Sequence, residues 1–255
     1  MKQCFSWWAF ANRGVDNATL MRRAKEIGYG GVELIGRELW DEVLDNGLEI
    51  VANSAHNGFQ EGLNNPANHD GFERDVEASL ELAQKYKMPK LIVFSGNRRP
   101  GLTDEEGLEH TVTGLKRVAP MAEQAGVMLI LELLNSKVDH GGYQCDNSLW
   151  ASRVIEAVGS PQVKVLYDIY HAQIMEGDLI RNIRDRGVHF GHYHTAGNPG
   201  RHDLDDEQEI HYPAVFRAIA ATGYDGYIGH EFIPKGDPIS GLQAAYNVLA
   251  TSLPV

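Results

Sequence analysis

Residues 129–137 read "LILELLNSK", an aliphatic run that is interrupted by Glu132 and resumes with Leu133 and Leu134. A short, continuous apolar run bounded by turn residues has the pattern of a strand buried on both faces, as in a parallel sheet. A carboxylate at the end of such a strand is costly to desolvate unless a cation or hydrogen bonds compensate it. Similar runs recur along the chain at "KQCFSW" (2–7), "GVELI" (31–35), "IVANSAH" (50–56), "KLIVFSG" (90–96), "MLILELL" (128–134), "VKVLYDI" (163–169), "VHFGHYH" (188–194) and "YIGHEFI" (227–233). Amphipathic segments of helical period lie between them, including "NATLMRRAKEIG", "FERDVEASLELAQKY" and "YPAVFRAIAATG". Gly28, Gly126, Gly159 and Gly223 stand where a left-handed residue closes a helix before the next strand. Eight βα units in one series predict an α/β fold, a single closed (β/α)8 TIM barrel over residues 1–255. The first strand is not followed by G-x-G-x-x-G, which disfavours the doubly wound dinucleotide fold.

The 35 acidic and 23 basic residues leave a net charge of -12, which repels nucleic-acid backbones and anionic membranes and leaves small molecules as the expected partners. No apolar run is long enough to span a bilayer. The two cysteines, Cys4 and Cys145, have neither metal nor redox spacing and suit a reducing, cytoplasmic setting. "CFSWWAFA" faintly imitates a signal peptide, but its basic region is one lysine and its removal would delete the first strand. Leu149 and Trp150 are apolar candidates for a dimer or tetramer contact.

In a barrel of this kind the chemistry gathers at the C-terminal rim. The strand ends contribute Glu33, His56, Glu132, Asp168, His194 and Glu231, with His171 just beyond the sixth strand. Three carboxylates facing one another repel, and a divalent cation would turn that repulsion into ligation. An oxygen-rich set with one imidazole suits Mn2+ or Mg2+, and tolerates Co2+, better than a structural zinc site. Proton transfer beside a carbonyl fits this arrangement, because a Lewis acid stabilises an enediolate while a carboxylate moves the proton. A proton returned to the neighbouring carbon gives aldose–ketose isomerisation, and one delivered to the opposite face gives epimerisation. Arg201, after a Gly-Asn-Pro-Gly loop, is placed to meet a carboxylate or polyol hydroxyl. Trp7, Trp8 and Phe10 are expected to wall the site, although both tryptophans cannot face inward on a regular strand. Glu33 and His56 are substrate or supporting contacts, or residues that satisfy backbone donors. His192 and His230, beside the ligand candidates, are expected to face the helix layer. "HDLDDEQE" (202–209) reads as a solvated loop.

The segments "LELLN" (131–135), "YDIYHAQIMEGDL" (167–179), "GHYHTAGNPGRHD" (191–203) with "EIHYPAVF" (209–216), and "GYDGYIGHEFIPKGDP" (223–238) together resemble the hydroxypyruvate isomerase family of xylose isomerase-like barrels. Relatives of that family include ketose 3-epimerases, inosose dehydratases and, more distantly, repair nucleases. The resemblance implies one divalent metal held by Glu132, Asp168, His194 and Glu231. It implies Glu132 and Glu231 as the acid/base pair, with His171 and Arg201 on substrate. One departure stands out: the hydroxypyruvate isomerase pattern carries Gln where this chain has His194, and His there is similar to the ketose epimerases. The expected function is therefore aldose–ketose isomerisation of a small hydroxy-carbonyl compound, with ketose 3-epimerase and an inosose dehydratase-like lyase as alternatives.

Overall fold

The structure is a computed structural model and describes residues 1–253. Its apolar runs form β1 (Lys2–Ser6), β2 (Gly31–Glu33), β3 (Glu49–Ser54), β4 (Lys90–Val93), β5 (Met128–Glu132), β6 (Val163–Asp168), β7 (Phe190–Thr195) and β8 (Tyr227–His230). Each strand pairs in parallel with its neighbours in chain order, and β8 returns to β1, so the sheet closes into a barrel. The family of folds expected from the sequence, a (β/α)8 barrel, is the one observed.

The helices are α1 (Trp7–Phe10), α2 (Asn17–Ile27), α3 (Trp40–Asp45), α4 (His69–Tyr86), α5 (Asp104–Ala125), α6 (Ser148–Val158), α7 (Ile169–Met175), α8 (Leu179–Arg186), α9 (Tyr212–Ala221) and α10 (Pro238–Ser252). Side chains fix where several begin. Asp16 accepts the Thr19 amide, Asn147 the Trp150 amide, and Asp237 the Ser240 amide, while Thr103 and Glu106 form a reciprocal capping box. Each such cap contributes about 1 kcal/mol by satisfying an otherwise unpaired amide. The helices bury their apolar stripes on the outer face of the sheet, in one continuous core that includes Leu20, Val76, Leu115, Val154 and Phe216. A separate small cluster of Cys4, Val51 and Tyr227 packs apart from it.

Most strands are shorter than their apolar runs, because the chain leaves the sheet to build the rim. β1 stops at Ser6, and Trp7 begins a helical turn instead of continuing the strand. β2 stops at Glu33, after which Leu34 adopts a left-handed φ of 51°. The register places Asp168 beside His194, and His194 beside Gly229. Two sequence expectations are corrected here. Trp150 is not available for a subunit contact: it is buried, and its Nε1 donates to the Asp104 carbonyl at 3.2 Å, whereas Leu149 is exposed. His192 does not face the helices: it lies two residues from His194, and the two-residue period of a strand puts both on the inner face. His230 does take the outer face, between Thr195 Oγ1 and Gln3 Oε1 at 2.8 Å each.

Candidate metal centre

Glu132 ends β5, Asp168 ends β6, His194 is the penultimate residue of β7, and Glu231 follows β8, so four adjacent strands deliver four inward groups to one level of the rim. One ligand-type atom from each of the four lies within 4.8 Å of the others. Ligands of an octahedral Mg2+ or Mn2+ site, at roughly 2.0–2.1 Å from the ion, lie about 3–4 Å apart. The observed separations match: His194 Nδ1 is 3.2 Å from Glu231 Oε2, 3.4 Å from Glu132 Oε1 and 3.8 Å from Asp168 Oδ2. That Nδ1 is fully buried and has no hydrogen bond of acceptable geometry among the described residues. A buried, unpartnered ring nitrogen aimed at three carboxylates is what a cation site presents, and the donor set fits a hard or borderline divalent ion.

The electrostatics describe a site short of positive charge. Burial raises the Asp168 carboxyl to about 7, against the pull of Arg201. Burial likewise raises Glu132, opposed by its contact with His194. Burial would lower His194, yet the surrounding carboxylates, Glu33 and Glu231 foremost, push it well above its ordinary range. Glu231 differs from Glu132: burial would raise it, but Arg201, His194 and the Trp8 indole hold it well below the carboxylate range. The Trp8 Nε1 donates to Glu231 Oε1 at 2.8 Å, and the Arg201 guanidinium pairs with Glu231 and stands 4.0 Å from Asp168. Arg201 is sandwiched over the Trp8 and Tyr170 rings at 5.3 and 5.5 Å and takes a left-handed φ of 57°, a strained conformation of the kind concentrated at functional sites.

Asp168 has a second task. Its Oδ1 accepts the His171 amide at 3.0 Å and so starts α7, while Oδ2 faces His194. His171 is fully buried; burial, then Arg201, hold it well below its usual value, so the ring is neutral. Its Nδ1 accepts from Asn135 Nδ2 at 2.6 Å. The Asn135 amide is itself oriented, because its Oδ1 accepts the Val138 and Asp139 amides at 2.9 Å each. His171 therefore carries its proton on Nε2, which has no hydrogen-bond partner among the described residues and can donate to a bound oxygen.

Other expected site residues fall elsewhere. Trp7 is 6% exposed and packs against Phe5 in the core, while Trp8 is the tryptophan at the site, because the helical turn of α1 replaces strand alternation. Phe10 is buried beside Phe5 and Phe232. His56 is committed to the backbone: its Nε2 accepts the Phe94 amide at 3.1 Å, and burial lowers it to about 4. Glu33 lies behind the ligands, with Oε1 3.1 Å from His194 Nε2 and Oε2 2.8 Å from His192 Nε2. Of the three aromatic residues expected to wall the site only Trp8 reaches it, and Asn135 was missed as a site residue. Asn135 carried a signal, lying three residues beyond Glu132 in the opening stretch.

A closed parallel barrel with one imidazole and three carboxylates converging at the C-terminal rim defines a class of (β/α)8 barrels whose polar rim could hold a divalent ion. Within that class, the chain belongs to the family described as xylose isomerase-like TIM barrel, which it matches over residues 21–251. It is 29% identical over 233 residues to a 2-oxo-tetronate isomerase of Pectobacterium atrosepticum, covering 87% of this chain and 88% of that protein. It is also 29% identical over 178 residues to the hydroxypyruvate isomerase of Escherichia coli, covering 70% of this chain and 68% of that protein. Among solved structures, a protein from Brucella melitensis described as an AP endonuclease of family 2 superposes with a TM-score of 0.85 at 28% identity, over 95% of this chain and 97% of that one. D-psicose 3-epimerase of Clostridium cellulolyticum H10, solved with D-tagatose, has the same fold at a TM-score of 0.74 and 19% identity, over 99% and 98% of the two chains.

Proposed function

We propose that this protein is a metal-dependent isomerase that moves a proton between adjacent carbons of a small hydroxy-carbonyl compound, of the hydroxypyruvate or 2-oxo-tetronate type. One divalent ion, Mn2+ or Mg2+ with Co2+ as a substitute, is held by Glu132, Asp168, His194 and Glu231. When bound, it supplies Lewis acidity that stabilises negative charge developing on neighbouring substrate oxygens.

The observation that carries this reading is the unequal environment of the two glutamates. Glu231 is held as a carboxylate by Arg201 and Trp8, whereas Glu132 is raised by burial. Paired carboxylates whose environments push their affinities for a proton apart take different roles. Glu132 is the group suited to take a proton from the hydroxyl-bearing carbon and return it to the neighbouring carbon. One base working one face gives isomerisation, the reaction class that the names of the isomerase relatives favour; epimerisation would use Glu132 and Glu231 on opposite faces. His171 Nε2 donates to a substrate oxygen. Trp8 and Arg201 close the mouth and exclude water from the reacting carbons. The names of the two isomerase relatives support the same reaction class.

Incubation with hydroxypyruvate, 2-oxo-tetronates and free ketoses in D2O, followed by NMR, tests the assignment. Isomerisation places deuterium on the neighbouring carbon. Label at the original carbon with inverted configuration identifies an epimerase, and loss of a β-hydroxyl identifies a dehydratase. Nicking of abasic duplex DNA, with no turnover of any hydroxy-carbonyl compound, refutes the isomerase reading in favour of a nuclease, against which the net charge of -12 weighs.

A further inference from the structure

Beneath the ligand quartet the barrel holds a second polar assembly that proton transfer does not use. Lys90, the first residue of β4, is buried, and its Nζ lies 3.0 Å from His192 Nδ1. His192 Nε2 lies 2.8 Å from Glu33 Oε2, and Glu33 Oε1 lies 3.1 Å from His194 Nε2. Glu33, His192 and His194 are all fully buried. An ammonium and a carboxylate inside a barrel are costly to desolvate, and an aliphatic core would be cheaper. Resting on the metal reading above, we propose that Lys90 and His192 are positioning residues that act through Glu33 to fix His194 with Nδ1 presented to the ion.

The direction of each hydrogen bond follows from donor and acceptor chemistry. An ammonium only donates, so His192 Nδ1 accepts and its proton sits on Nε2, facing Glu33. Glu33 Oε1 stands 3.1 Å from His194 Nε2 as an electrostatic contact and not as a well-aligned hydrogen bond; because a carboxylate only accepts, it favours the proton on Nε2 and leaves Nδ1 for the side where Glu132, Asp168 and Glu231 converge. Both ring nitrogens of His192 are thus engaged, one by Lys90 and one by Glu33, so the ring's orientation is fixed from both sides. Ser6 Oγ gives Glu33 Oε1 a further donor at 3.2 Å. Gly229 leaves the space this contact needs: a Cβ there would overlap Glu33 Oε1 and stand 2.9 Å from His194 Cδ2. Cys4, Glu33 and His192 also lie within reach of a common centre, but this is not a second metal site. Both His192 nitrogens are engaged, Cys4 Sγ points to the Ile228 carbonyl at 3.7 Å, and the Lys90 ammonium already supplies the cation.

The test measures Mn2+ affinity by electron paramagnetic resonance, independently of turnover, for wild type, Lys90→Met, Glu33→Gln and the double variant. Glu33→Gln is expected to raise the Mn2+ Kd about 10- to 100-fold and Lys90→Met about tenfold, as for partners behind a metal-binding histidine. Because the lysine acts through the glutamate, the double variant binds no more weakly than Glu33→Gln alone. Long-range 1H–15N NMR of the Mg2+-loaded protein should show His192 as the Nε2–H tautomer in wild type and a mixture in Lys90→Met. An unchanged Kd in Lys90→Met, or strictly additive losses, overturns the proposal even if thermal stability falls. If Lys90→Met does not fold, His192→Gln, which keeps a donor to Glu33 but loses the link to Lys90, is judged by the same criteria. Failure of wild type itself to bind Mn2+ refutes the metal centre, and this proposal with it.

Discussion

Acidification should weaken divalent-ion binding steeply, by an amount the site itself sets. His194 is pushed well above its ordinary range by the carboxylates around it, so near neutrality it holds a proton that an ion must displace. That alone lowers affinity tenfold for each pH unit, or about 100-fold from pH 8 to pH 6. Asp168, raised to about 7, is mostly ionised at the upper end of this window and mostly protonated at the lower end, which adds about another tenfold. The combined loss is on the order of 1,000-fold, about 4 kcal/mol. The stability of the metal-free protein should move the opposite way with Asp168. A carboxyl whose affinity for protons is higher folded than unfolded favours the folded state below pH 4, and that contribution is lost as pH rises through about 7. A bound ion offsets the loss: at a concentration of 100 Kd it contributes about 2.7 kcal/mol, or roughly 5–10 °C in Tm for a chain of this size. Isothermal titration of Mn2+ at several pH values, in buffers of different ionisation enthalpy, counts the protons released. Affinity that is flat between pH 6 and 8, or binding without proton release, would refute the assignment of these two groups as ion ligands.

Glu132→Gln removes the proposed base but keeps its shape, and kcat should fall 100- to 10,000-fold, measured by coupled assay with the ion held saturating. Asn135→Leu leaves His171 Nδ1 without its 2.6 Å donor, so the ring is free to change tautomer; KM should rise and kcat fall together, about tenfold, in steady-state kinetics. Trp8→Phe deletes the 2.8 Å bond to Glu231 while keeping an aromatic face under Arg201, and a cost of about 1.5–3 kcal/mol is expected in kcat/KM. Retention of wild-type kinetics in Trp8→Phe would remove the indole from the site.

The convergence of Glu132, Asp168, His194 and Glu231 was legible because strand ends in a parallel barrel share one level. What was missed follows from local changes of backbone period. Trp8 and not Trp7 reaches the site because β1 stops at Ser6 and a helical turn takes over from two-residue alternation. A β2 running to Ile35, as the apolar run predicts, puts Glu33 at the rim. The strand ends at Glu33 and Leu34 turns left-handed, so the carboxylate sits behind His194. His192 shares a face with His194 by the same period that defines the strand, and Lys90 gave no sequence signal, since a lysine opening a strand ordinarily reads as exposed. The roles of Asn135 and Arg201 depend on loop conformations that propensity does not encode.

Asp168 serves two structures with its two oxygens, one stopping the free end of α7 and the other turned toward the ligand cluster. Helix start and acidic cluster thus share a single tether, so a shift of α7 would carry Asp168 Oδ2 with it relative to His194. Most substitutions there would disturb both duties at once. Asparagine, which retains the capping oxygen and discards the charge, is the substitution that would pull the two duties apart.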